Sequence, residues 1–207
     1  MHDLFLFVAD KNMKFALQGL LGKRHASLGI RPITFDIKVN AQCDSGMRTM
    51  GVQLLSLEVG LARHALMLLD FAGSGTAYNN ALDLENALKR DLQNTPTWGT
   101  RGEVIVIDPE LEILIWGNDN KLCEILKWPE EKGIREWLRQ KGFMIHDTGK
   151  PDQPKEAFEC VLRHCNIPRS STLYQEITEQ IGLKSCRDST FLRLKSILQN
   201  WFPADSA

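Results

Sequence analysis

Six acidic residues close or follow apolar runs that read as strands: Asp10 after Val8-Ala9, Asp44, Asp70 after His64–Leu69, and Asp108, Glu110 and Glu112 after Val104–Ile107. In an open parallel α/β sheet, ligands bind outside the carboxyl ends of the strands, so acids far apart in sequence meet at one edge. Carboxylates gathered around Mg²⁺ are how phosphoryl-transfer sites offset phosphate charge and orient a nucleophile. Asp70 is the strongest member, because it closes a wholly apolar run and precedes Phe71-Ala72-Gly73-Ser74-Gly75, whose small residues let backbone N–H groups approach an anion. The pattern names Asp70, Glu112 and Asp10 as candidate catalytic residues. Asp70, Glu110 and Glu112 are the candidate ligands for Mg²⁺, and Gly73, Ser74 and Gly75 the candidate cofactor-binding loop.

Each acid also has a purely structural role open to it. Asp70 can cap the loop that follows, and Asp10 is placed to cap a helix over Asn12 to Leu21. Glu110 follows Pro109 in what reads as a first helical turn, where the helix dipole favours acids without any catalysis. Glu112 sits among Leu111, Ile113, Leu114 and Ile115. An acid in such a run is costly to bury unpaired, which makes it a metal ligand or an ion-pair member.

The elements that position these residues follow from periodicity. Asp3 to Val8 is a continuous apolar run suited to burial on both faces of a parallel sheet, and a helix then runs to Leu21 and ends at Gly22. Ile33, Phe35, Ile37 and Val39 alternate with polar residues, which predicts an edge strand with one wet face. A polar loop over Gln42–Gly46, a helix from Met47 to Glu58, a strand over His64–Leu69, a helix over Ala77–Leu92 and a strand over Val104–Ile107 complete the pattern. Alternating strands and helices predict right-handed crossovers. Beyond Pro109 the segments 110–116, 121–126, 132–141, 155–164, 171–181 and 188–201 all read as helices. The expected fold is α/β: a four-stranded, mainly parallel, Rossmann-like sheet with flanking helices, an α/β domain over residues 1–127, and a helical extension over 128–207 packed on it.

Composition narrows the function classes. With 207 residues, 43% hydrophobic and 25% charged, and a formal net charge of -1, the chain has no global attraction for nucleic acid or an anionic membrane. Five cysteines without paired C-x-x-C spacing suit free thiols in a reducing cytoplasm, and Cys160, His164 and Cys165 lack zinc spacing. The apolar start is too short for a signal-peptide core, and no run approaches the roughly 18–20 apolar residues of a membrane span. The expectation is a cytoplasmic protein with no membrane partner. In the helical half, Lys150, Lys155, Arg163, Arg169, Lys184, Arg187, Arg193 and Lys195 lie among Ser170, Ser171, Ser185 and Ser189, a composition able to contact phosphates. Glu156, Glu159, Glu176 and Glu179 alternate with them and favour solvated, ion-paired faces instead. Trp116, Trp128, Trp137 and Trp201 are expected to pack this half against the sheet.

Three motifs together carry a resemblance: a strand followed by Val8-Ala9-Asp10-Lys11, a strand followed by Asp70-Phe71-Ala72-Gly73-Ser74-Gly75, and Pro109-Glu110-Leu111-Glu112 with Trp116. They resemble the Toprim fold of topoisomerases, primases and overcoming-lysogenization-defect nucleases over about residues 1–127. More narrowly, with Pro154-Lys155-Glu156 and the segment from Cys186 to Pro203, the chain is similar to small Toprim-like proteins of bacterial antiphage defence islands, including a component of methylation-associated defence systems. The resemblance implies action on or near nucleic acid, magnesium, and other defence-system proteins as partners in a protein complex. It also implies a Glu at the first strand end and a D-x-D pair at the third, where this chain has Ala9 and Ala72. Asp70 alone survives of that set, so the implied catalyst is impaired unless Asp10, Glu110 or Glu112 substitutes. The alternatives are a metal-dependent nuclease using Asp70, Glu112 and Asp10, and a non-catalytic interaction subunit whose acids only cap helices.

Overall fold

The computed structural model describes residues 1–117, 119–183, 186 and 188–204. Four strands, β1 (His2–Val8), β2 (Phe35–Val39), β3 (Ala62–Asp70) and β4 (Gly102–Ile107), form one all-parallel sheet in the order β2-β1-β3-β4. The apolar runs of β1, β3 and β4 are buried on both faces, whereas the alternating β2 lies at an edge with Asp36 and Lys38 exposed. From β1 the chain passes to β2 on one side, then crosses back to β3 on the other. The order therefore reverses between β1 and β3, the place where an open α/β sheet leaves a crevice at its carboxyl end.

Helices α1 (Lys11–Lys23), α2 (His25–Leu28), α3 (Cys43–Ser56) and α4 (Ala81–Gln93) make the connections among the strands. Two local expectations fail. Gly22 does not stop α1, which continues to Lys23; the left-handed stop falls at Gly29, φ +73°, after α2. The polar stretch 42–46 is not a loop either, because α3 begins at Cys43 and carries Asp44 in its first turn, where an acid complements the exposed N–H groups.

After β4 the chain makes a 3₁₀ stretch over Leu111–Gly117 and then α5 (Asp119–Leu126), α6 (Ile134–Gln140), α7 (Pro154–His164), α8 (Ser171–Gln180) and α9 (Ser189–Trp201). Helix α8 lies directly on α1. A Cβ at Gly19 would stand 2.3 Å from Oγ1 of Thr178, so only glycine permits this approach. The Thr178 hydroxyl donates to the Ala16 carbonyl at 2.9 Å, and Arg24 donates to the carbonyls of Thr178, Glu179 and Ile181, satisfying the end of α8. Phe191 and Leu194 of α9 join Met13 and Leu17 of α1 over Leu68, Ile105 and Ile107. The edge of β4 is closed by side chains: Glu85 accepts the Val106 N–H at 2.8 Å, and Arg193 reaches both Glu85 and the Val106 carbonyl.

Trp116 is buried edge-on to Phe158, and Trp201 stacks on His64 at 4.5 Å. Trp128 and Trp137 depart from expectation: they pack on each other and on His164 inside the helical half rather than on the sheet. All five cysteines are free. Lys150, Lys155, Arg163, Arg169 and Arg193 each pair with a carboxylate, while Lys184, Ser185 and Arg187 lie outside the described residues. Among the described residues, no helix is long and apolar enough to cross a membrane.

Candidate metal centre

Asp70 is the last residue of β3, paired with Ile107 of β4. Beyond it the ladder continues, Phe71 N–H donating to the Ile107 carbonyl at 2.8 Å and Ala72 N–H to that of Pro109 at 2.9 Å. This draws the segment Pro109–Glu112 alongside the β3 end. The Asp70 N–H donates to Oδ1 of Asp44, 2.7 Å away. Gly73 makes room for that carboxylate, since a Cβ there would come within 2.6 Å of Asp44 Oδ2.

Asp70, Glu110 and Glu112 each place one carboxylate oxygen within 4.8 Å of the others. Glu112 is the deepest, its side chain 3% exposed; Oε1 accepts from the Arg169 guanidinium at 2.6 Å and from the Tyr174 hydroxyl. Glu110, 14% exposed, faces Lys155 Nζ at 3.5 Å. Asp70 differs from both: its Oδ1 is buried and meets no hydrogen-bond partner among the described residues. Burial first, and the neighbouring Asp44 second, push the Asp70 carboxyl well above its ordinary range, against the Leu111 N–H. Burial also raises Asp44, opposed by the Asp70 N–H, and burial followed by Glu112 raises Glu110. Burial pulls Lys155 down, but Glu110 and Glu112 outweigh it and leave the ammonium above its usual value.

The acids line a cleft of about 210 Å³ at the strand-order reversal, which Asp10, Asp44, Ala72 and Gly73 also border. Asp10 is there as the N-cap of α1, Oδ1 accepting from Met13 N–H at 2.8 Å, and the structure leaves it outside the three-acid group. Of the glycine-rich loop, Gly73 reaches the cleft. Ser74 is buried with its hydroxyl donating to the Phe71 carbonyl at 2.7 Å, Gly75 takes the left-handed φ of +61°, and neither lines the cleft. Ala9 is packed in the core, 1% exposed. Lys155, Arg169 and Tyr174 are site residues that the sequence does not assign to it; Asp44 is expected among the strand-end acids but without a role in the site, and its place in the first turn of α3 emerges only in the structure.

The donor set fits a hard divalent cation. Ligands on opposite sides of a Mg²⁺ ion, bound at about 2.1 Å, stand about 4.2 Å apart, so three oxygens within 4.8 Å close on such an ion by side-chain rotation. A buried carboxyl oxygen without a donor is the feature such an ion would satisfy. Comparison with protein-family models, with curated proteins and with solved structures gives no match.

Proposed function

We propose that the chain holds a Mg²⁺-type cation on Asp70, Glu110 and Glu112, and that it acts on or near nucleic acid as a catalytically impaired, Toprim-like component of a bacterial antiviral assembly. The orphaned Oδ1 of Asp70, buried beside two further carboxylates at the sheet's switch point, carries the cation part. Stability alone gives no reason to keep such a group. The nucleic-acid and defence parts are supported by the resemblance of the Asp10, Asp70 and Glu110–Glu112 motifs. Impairment is supported by Ala9 and Ala72, which offer no ligand, and by Asp10, whose carboxylate is occupied as a helix cap. The engagement of Glu112 with Arg169 and Tyr174 favours a second reading, in which that acid fastens the helical half to the sheet and the chain is an interaction subunit.

Calorimetric titration with Mg²⁺ and Mn²⁺ tests the first reading. One site is expected in the parent chain and none in Asp70→Asn. Ala72 borders the cleft, so Ala72→Asp should tighten binding by supplying a further carboxylate. No heat in the parent would refute the cation site. Metal-dependent DNA cleavage by the parent, abolished in Asp70→Asn, would refute impairment and establish the nuclease alternative.

A further inference from the structure

The cleft is charged in two layers. Glu112 and Glu110 lie deep, with side chains 3% and 14% exposed, while the cations that face them, Arg169 and Lys155, stand at 31% and 41%. Both cations come from the helical half, Lys155 from the first turn of α7 and Arg169 from the segment just before α8. Their donors are only partly used. Arg169 commits Nε to Tyr174, one terminal nitrogen to Glu159 and the other to Glu112, which engages three of the guanidinium's five N–H groups. Lys155 has one ion pair at the long distance of 3.5 Å.

Resting on the cation-site reading above, we propose that Lys155 and Arg169 form the phosphate-binding rim of this cleft and take up a phosphate ester only once a divalent cation has bound below them. Without the cation, the two basic groups neutralise Glu110 and Glu112, and the excess of carboxylates repels an anion. A cation on Asp70, Glu110 and Glu112 takes over that neutralisation, and the outward N–H groups then face a phosphate that shares the ion. Lys155 supplies a mobile point charge, and the planar guanidinium of Arg169 supplies paired donors suited to phosphate oxygens. The cleft's roughly 210 Å³ falls below the ~300–1,000 Å³ of sites that enclose whole ligands. It admits the phosphate group and leaves the rest of the ester at the mouth.

The arrangement predicts opposite effects on the two ligands. Calorimetric titration of methyl phosphate into the full chain should give binding in saturating Mg²⁺ and none in EDTA. Lys155→Met removes a competitor for Glu110 along with a phosphate donor. It should leave Mg²⁺ binding as tight or tighter while weakening methyl phosphate about tenfold or more, the scale of one charge-assisted hydrogen bond. Arg169→Lys keeps the charge that Glu112 needs and should weaken methyl phosphate with the fold intact by circular dichroism. A merely structural role for either residue would weaken both ligands together, and that result overturns the inference, as does methyl phosphate binding that is indifferent to Mg²⁺ or to both substitutions. Absence of Mg²⁺ binding in the parent overturns the cation site and this inference together; intact Mg²⁺ binding without phosphate overturns this inference alone. Tighter binding of a 5′-phosphorylated oligonucleotide than of methyl phosphate assigns the ester to nucleic acid, and equal binding assigns it to a small phosphate ester.

Discussion

Replacing Asp70 by Asn should make the protein more stable and less able to bind metal at the same time. The Asp70 carboxylate has a buried oxygen without a donor and stands against Asp44 and Glu112, and leaving a buried polar group unsatisfied costs about 1–3 kcal/mol. Asn is nearly isosteric, carries no charge and brings an amide donor toward the surrounding acids. For a chain of this size, about 1 kcal/mol moves the melting temperature by roughly 2–4 °C, so Asp70→Asn should melt roughly 2–12 °C higher in EDTA. The sign of its pH dependence follows from the raised carboxyl. The folded form of the parent binds the Asp70 proton more tightly than the unfolded form, so the parent loses stability as pH rises toward and through the raised Asp70 value. The variant's advantage should accordingly be small in acid and grow toward alkaline pH. Mg²⁺ acts the other way: at 100 times its dissociation constant a ligand stabilises by about 2.7 kcal/mol, a gain open to the parent alone that offsets most or all of the variant's advantage. Calorimetric melts of both proteins in EDTA and in Mg²⁺, from pH 5 to 9, measure all of this. Two results refute the reasoning: a variant that melts lower than the parent in EDTA at every pH, or equal upward shifts of both proteins in Mg²⁺.

Tyr174→Phe removes the hydroxyl that donates to buried Glu112 and should cost about 1.5–3 kcal/mol in urea unfolding with an unchanged m-value. Glu85→Ala strips the acceptor from the Val106 N–H and the partner from Arg193. It should lower stability by about 1–3 kcal/mol and speed hydrogen exchange at Val106. His64 stacks on Trp201, and burial, then the nearby Arg101 and Arg63, hold its imidazole below the ordinary value of 6.5. The unfolded chain therefore takes up the proton first, and stability should fall as pH drops from 6.5 toward the lowered value; His64→Phe should flatten that slope in melts between pH 7 and 5.

What was legible in the sequence was what burial dictates locally. The unbroken apolar runs of β1, β3 and β4 marked strands buried on both faces, and the alternation of β2 marked one edge, because a strand's exposure is written in its own residues; that β4 forms the other edge was not legible, since side chains and helices cover it. Asp70 was legible for a related reason: an acid closing a buried strand has a fixed place relative to the crevice. Asp44 was legible only as one strand-end acid among six, because the polar stretch 42–46 suits a loop and a first helical turn equally, and only the α3 entry aims its carboxylate at the Asp70 N–H. The partners of Glu110 and Glu112 lay further out of reach. Lys155, Arg169 and Tyr174 are separated from them by 45, 57 and 62 residues, and no periodicity relates a 3₁₀ stretch after β4 to the ends of α7 and α8.

That separation bears on how the cleft behaves. The carboxylates are set by the strand ends and their continuations, but the partners of Glu112, Tyr174 on α8 and Arg169 just before it, arrive with a helix whose place depends on its fit to α1 at Gly19 and Thr178. Glu112 and its partners therefore belong to elements that are fixed by different packing. A substitution at Gly19 or Thr178 on the α1–α8 contact, far in sequence from all three acids, would shift Arg169 and Tyr174 relative to Glu112 and alter the cleft without touching the acids themselves. Gly19→Ala is the sharpest such change, since its added methyl meets Thr178 and the Gln175 carbonyl within 2.5 Å. It should cost about 1–3 kcal/mol as overpacking does, and it should change Mg²⁺ binding measured calorimetrically on protein shown to remain folded. Unaltered Mg²⁺ binding in a destabilised but folded Gly19→Ala chain would mean that the helical half fastens the fold without governing the site.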